Sequence, residues 1–296
     1  MNKGIMITAC TLLLLGGLFF IFLIKDIPAT EQDVSIEQDE LPEPEREEVP
    51  NPDKNSPSIS EKISQTVTDV VEKAIEFLSK EEMNIVAIGD SLTEGIGDET
   101  KSGGFVGILE RRIDSANDIP ITVSNYGKKG NRTDQLLIRL EEEEINHSIK
   151  EADLVLITIG ANDIMKIVKE NFLSLSYDDF SSELDHYQNR LEAIMNYIRR
   201  MNPSAHIYLV GLFNPFAQYF GDIPELDIIV NDWNTRGRRV IEADHNATFI
   251  PIKDVFQNTE DHLFSADNFH PNALGYEKIA DRVMEYITST YRRVSN

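Results

Sequence analysis

A chain of 296 residues, 41% of them hydrophobic, can bury a sizeable core in one large domain or two. Its 51 acidic against 28 basic residues give a formal charge of −23, a field that repels phosphate backbones and argues against nucleic acid as a partner. The single cysteine, Cys10, excludes an internal disulfide framework. Six scattered histidines without a His-x-x-x-His pair offer no helix-borne metal site.

Residues 5–24 carry no charge and are mostly Leu, Ile, Phe and Gly, about the length an α-helix needs to cross a hydrocarbon core. With Lys3 before this run and acids beyond Lys25, the expectation is an uncleaved membrane anchor over 1–25. The amino terminus is then cytoplasmic and the rest of the chain lies on the extracellular side. Lipidation at Cys10 is the rival, although most of the apolar run follows that cysteine. Over 26–58 eleven acids face only Arg46 and Lys54 among six prolines, with no aromatic residue. Such a composition cannot bury enough apolar surface to fold, and predicts an extended, disordered tether.

A folded domain over 59–296 is expected to open with a helix, because Ile59, Ile63, Val67, Val70, Val71, Ala74 and Leu78 share one helical face. Strands then follow over 84–89, 121–125, 154–160, 207–212 and 248–252. Between and after them lie helices near 105–116, 134–149, 164–170, 182–201, 224–244 and 273–291. Short apolar strands separated by amphipathic helices predict an α/β architecture, a mostly parallel five-stranded sheet covered on both faces in three α/β/α layers. The run Glu141 to Glu144 reads as a solvated helix face. The stretch Phe213-Asn214-Pro215-Phe216-Ala217-Gln218-Tyr219-Phe220-Gly221 carries four aromatic rings, and suits either an acyl pocket or lid, or aromatics packed under a loop.

Four stretches at strand ends carry candidate chemistry. The first strand runs into Gly89-Asp90-Ser91-Leu92, which delivers a serine to the carboxyl edge where open α/β sheets bind ligands. Asn125-Tyr126-Gly127-Lys128-Lys129-Gly130 precedes a helix and exposes backbone N–H groups suited to an oxyanion. Gly160-Ala161-Asn162-Asp163 offers a side-chain amide donor at the same edge. Near the carboxyl terminus Asp267-Asn268-Phe269-His270-Pro271 sets an acid three residues before a histidine, so that a carboxylate can hold one ring nitrogen while the other faces outward. Singly, each has a plain reading as a cap or turn. Asp244-His245 and Asp261-His262 lack the spacing and read as surface or packing residues.

Together these stretches resemble the blocks of the SGNH hydrolases, also called GDSL lipases and esterases, in family order over roughly 84–291. The resemblance implies a flavodoxin-like α/β fold, Ser91 as nucleophile, His270 as base and Asp267 as its orienter. It also implies an oxyanion hole from the Ser91 and Gly130 N–H groups and the Asn162 amide, with Gly127 the rival glycine. The implied activity is carboxylic ester hydrolysis without metal or cofactor, on a small-molecule, lipid or glycan ester. An O-acetyl esterase of cell-wall or extracellular polysaccharide is the alternative, and a silent binding module the rival from another class. Lys128-Lys129, where many relatives carry a small or apolar pair, points toward an anionic substrate.

Overall fold

The computed structural model describes residues 82–116, 120–171, 173–174, 176–215, 224–257, 259 and 261–294. The expected anchor, tether and helix over 59–78 lie outside the described residues, as do the aromatics of the 213–221 stretch after Pro215. Among the described residues no helix is long and apolar enough to cross a membrane.

Five strands form the sheet: β1 (Met83–Gly89), β2 (Ile121–Gly127), β3 (Leu154–Thr158), β4 (His206–Val210) and β5 (Ala247–Ile250). They lie in the order β2-β1-β3-β4-β5 and every pairing is parallel. This order reverses direction at β1, which has β2 on one side and β3 on the other. A topological switch of this kind opens a crevice beyond the strands' carboxyl ends, and β1 delivers Ser91 there.

Alternate residues of each strand feed two separate cores. Val86, Ile88, Val155, Ile157, Ile207 and Leu209 pack on one face, against the helices that carry Leu191, Ile194 and Trp233. Ile85, Ala87, Leu154, Leu156, Tyr208 and Val210 pack on the other, against Phe105, Leu109, Tyr276 and Val283. Both faces of the central strands are thus dry, which explains their unbroken apolar runs.

The helices are α1 (Ser91–Glu94), α2 (Gly104–Ala116), α3 (Thr133–Arg139), α4 (Glu143–Glu151), α5 (Ala161–Glu170), α6 (Tyr177–Met201), α7 (Pro224–Glu242) and α8 (Ala273–Val294). The short α1 is not among the expected helices, and α5 begins three residues before the predicted 164; two others depart further from expectation. The helix predicted over 134–149 is split between α3 and α4, and the exposed acids Glu141 to Glu144 lie at the break. Carboxylates are unfavourable at a helix carboxyl end and favourable at the next amino end, where Glu143 and Glu144 begin α4. Helix α6 starts five residues earlier than the predicted Ser182. The signal is Ser176, whose N–H and hydroxyl both donate to the Asp179 carboxylate at 2.8 and 2.9 Å, a capping pattern hidden among polar residues.

Candidate active site

Gly89 ends β1 with φ +147°, and a Cβ there would lie 2.1 Å from the Thr158 carbonyl oxygen. Only glycine lets β1 and β3 approach this closely while the chain turns into α1. Asp90 caps α1, accepting from the Leu92 N–H at 3.0 Å. The same carboxylate oxygen accepts from the Thr158 hydroxyl at 2.8 Å, and Thr158 in turn meets the Thr93 hydroxyl at 2.7 Å. These side chains are almost wholly buried, and burial pushes the Asp90 carboxyl up to about 6 against the opposing pull of its hydrogen bonds. Ser91, 7% exposed, sits directly on this buried network.

The Asp267 to His270 turn lies between Phe264 and Pro271, which form an isolated antiparallel bridge. The Ser265 N–H donates to the His270 carbonyl at 2.8 Å, closing a tight loop in which Asn268 adopts φ +55°. Asp267 organises that loop: one carboxylate oxygen accepts from the Ser265 hydroxyl and from the backbone N–H groups of Phe269 and His270, at 2.8, 3.0 and 2.9 Å. Its other oxygen lies 2.6 Å from His270 Nδ1. Partial burial works to raise the Asp267 carboxyl, but the hydrogen bonds from His270, Phe269 and Ser265 win and hold it well below the usual carboxylate range. On the far side of the ring, His270 Nε2 lies 2.9 Å from Ser91 Oγ. A serine and a histidine 179 residues apart are thus joined through one imidazole to an acid.

The second and third stretches meet each other. Asn162, in the first turn of α5, donates through Nδ2 to the Asn131 carbonyl at 3.1 Å and so touches the loop that carries Gly130. Gly130 has φ +79° with open space where a Cβ would stand, whereas a Cβ on Gly127 would lie 2.1 Å from the Glu94 nitrogen. Gly127 therefore serves packing against α1, while Gly130 stands exposed in a left-handed turn. Beneath this loop, Asp163 accepts from the Thr133 N–H at 3.0 Å and from the Thr133 hydroxyl at 2.5 Å. Arg190 of α6 reaches both, with Nε 2.7 Å from the Thr133 oxygen and Nη2 3.3 Å from Asp163. Burial raises the Asp163 carboxyl, and the Thr133 and Arg190 contacts oppose that shift.

Lys128 and Lys129 are exposed, and the backbone of Lys129 donates to the Glu94 carboxylate, which sets an acid beside the pair. His245 and His262 are exposed, while their neighbours Asp244 and Asp261 pair with Arg199 and Lys278 at 2.5 and 2.9 Å. Among the described residues no group of His, Cys, Asp and Glu is arranged to hold a metal ion. Sequence reasoning passed over Thr93, Thr158, Thr133 and Arg190. An acid followed by serine at a strand end signals the Asp90 cap, but nothing local marks a threonine 68 residues away as its partner.

A small apolar cavity opens at Ser91 and His270, walled by Leu92, Val210, Leu212 and Phe213 together with Phe269. The Phe269 ring meets the imidazole edge-on, with centroids 5.1 Å apart.

The profile of the GDSL-like lipase/acylhydrolase family matches residues 87–278. The chain is 39% identical over 217 residues to the uncharacterized protein YpmR of Bacillus subtilis, covering 72% of this chain and 85% of that one. It is 25% identical over 208 residues to the spore germination lipase LipC of Bacillus licheniformis, covering 68% and 94%. Among solved structures, the lipase Lip_vut3 from a goat rumen metagenome superposes with a TM-score of 0.62 at 25% identity, over 69% of this chain and 96% of its own. The chain belongs to the GDSL-like lipase/acylhydrolase family, with the SGNH hydrolase fold, and is an esterase/lipase-type acylhydrolase.

Proposed function

We propose that this acylhydrolase cleaves carboxylic esters through an acyl-enzyme on Ser91, with His270 as general base and acid and Asp267 as the group that orients it. The observation that carries the reading is the unbroken run of contacts from Ser91 Oγ to His270 Nε2 at 2.9 Å and from His270 Nδ1 to Asp267 at 2.6 Å. Asp267, held ionised by its donors, fixes the tautomer with the proton on Nδ1 and leaves Nε2 free to take the serine proton.

Ser91 Oγ attacks the ester carbonyl carbon while its proton passes to Nε2. The carbonyl π electrons move to oxygen, and that oxyanion is met by the N–H groups of Ser91 and Gly130 and by the Asn162 amide. One Asn162 amide hydrogen is engaged by Asn131, which aims the other. On collapse the C–O bond to the alcohol breaks, and the leaving oxygen takes the proton from Nε2. Water then adds to the acyl-enzyme with His270 again accepting a proton, and release of the acid returns the hydrogen to Ser91.

We further propose that the uncharged run over 5–24 anchors this domain outside the cell, with the acidic stretch over 26–58 as spacer.

A fluorophosphonate probe on the purified chain tests the chemistry. It should modify the Ser91 peptide, and Ser91→Ala should abolish both labelling and ester turnover; turnover surviving in that variant removes Ser91 from the mechanism. Labelling of intact cells with an impermeant form of the probe tests the outward location.

A further inference from the structure

We infer that the acyl group accepted by this site is short, about two to four carbons, and that Phe213 sets the limit. The inference rests on the Ser91 reading above and deepens it.

The cavity beside Ser91 and His270 holds about 50 Å³. An apolar cavity of roughly 150 Å³ accommodates a benzene ring, so a third of that volume admits an acetyl to butyryl tail. Its walls suit an alkyl group and nothing more polar. Leu92, Leu212, Phe213, Pro215 and Phe269 supply hydrocarbon. The polar side chains that reach the cavity are engaged with one another, Asp90 with Thr158 at 2.8 Å and Ser91 with His270 at 2.9 Å. A sugar or glycerol seated there would leave its hydroxyls unpaired, which puts the alcohol side of the ester outside this cavity.

Phe213 walls the cavity from a half-buried position and is held there by stacking. It stacks on Phe256 with centroids 4.0 Å apart and 19° between planes, and lies 6.0 Å from Phe264. Both partners are almost fully buried. The backbone on either side is fixed from α7. Leu212 donates to Asn234 at 2.7 Å and accepts from it at 2.9 Å, and the Asn214 amide donates to Asp227 at 3.1 Å. A ring stacked this way is held against swinging aside for a longer chain, and its removal would enlarge the cavity.

The test uses the full-length chain with p-nitrophenyl esters of two, four, eight and twelve carbons. A second series of acetyl esters varies only the alcohol. Wild-type kcat/KM should fall at least about tenfold between four and eight carbons, the size of discrimination an apolar pocket provides. Phe213→Ala should recover about tenfold on the eight-carbon ester relative to acetate, and Phe213→Leu should shift the ratio the same way by less. The leucine variant keeps most of the packing and carries the test if the alanine variant unfolds. Equal turnover of acetate and the eight-carbon ester by wild type overturns the inference, as does a chain-length ratio unmoved in both variants. A selectivity that follows the alcohol while ignoring the acyl chain overturns it too. Loss of turnover in Ser91→Ala together with a flat chain-length profile refutes this inference alone; survival of turnover in Ser91→Ala refutes the reading beneath it.

Discussion

The two segments that meet at the Ser91 hydroxyl are held in opposite ways. On the β1 side, Gly89, Asp90 and Ser91 are pinned by the core: Asp90 and Thr158 are 3% and 2% exposed, and their hydrogen bonds cross from one strand end to the next. On the other side, the Asp267 side chain is 47% exposed and draws its partners from its own loop, residues 265 to 270. One half of the site is therefore built into the fold, and the other is a local turn bracketed by the Phe264 and Pro271 bridge. Substitutions in the turn should cost activity and spare stability; substitutions at the end of β1 should cost stability first.

The sharpest break of that contrast is His270→Ala. We expect a fall in kcat of about three orders of magnitude or more with unfolding free energy changed by less than about 1 kcal/mol, read by ester turnover and denaturant titration. A comparable loss of stability would mean that the turn is part of the core after all. Next in size is Gly89→Ala, whose added carbon would meet a backbone oxygen that cannot yield. A destabilisation of about 3 kcal/mol or more is expected by thermal or urea unfolding, and a well-folded variant would show that the β1 and β3 ends tolerate separation.

The smallest effect concerns pH and Asp90. Its carboxyl is raised to about 6 in the folded chain, above the value near 3.9 expected unfolded, so between those two values the folded state holds a proton that the unfolded state gives up. The stability it contributes is fully present below about pH 4 and is lost as pH rises toward 6, on the order of 3 kcal/mol at most. Asp90→Asn should remove that slope, so the wild type minus variant difference in unfolding free energy should decline across this window. A difference that does not change from pH 4 to 7 would show that Asp90 is ionised throughout.

How much of this could be read from the sequence varies with range. The central strands were legible because they are apolar runs bounded by turn residues, and burial on both faces keeps such runs free of polar alternation, whereas the edge strand β2 carries polar residues and is less buried. Helix limits set by charge and capping were less so: the break at Glu141 to Glu144 and the Ser176 start of α6 turn on single side chains. Within the site, Ser91, Asn162, Asp267 and His270 each stand where a strand end or a helix start marks them. The distances between them, and the partners Thr158, Thr133 and Arg190, come only from the fold. Arg190 in particular lies in the middle of a long amphipathic helix, where an arginine is ordinarily no more than surface.

That arginine constrains how the chain can change over generations. Asp163 keeps its charge out of water because Thr133 and Arg190 converge on it, so losing either partner strands the buried carboxylate, whereas Arg190 without the carboxylate still has Glu183 at 3.5 Å. The costlier first step is therefore the loss of Thr133 or Arg190, which leaves the buried acid short of donors. Positions 133, 163 and 190 should therefore be inherited as a set, and a lineage that has exchanged one of them should carry compensating changes at the others.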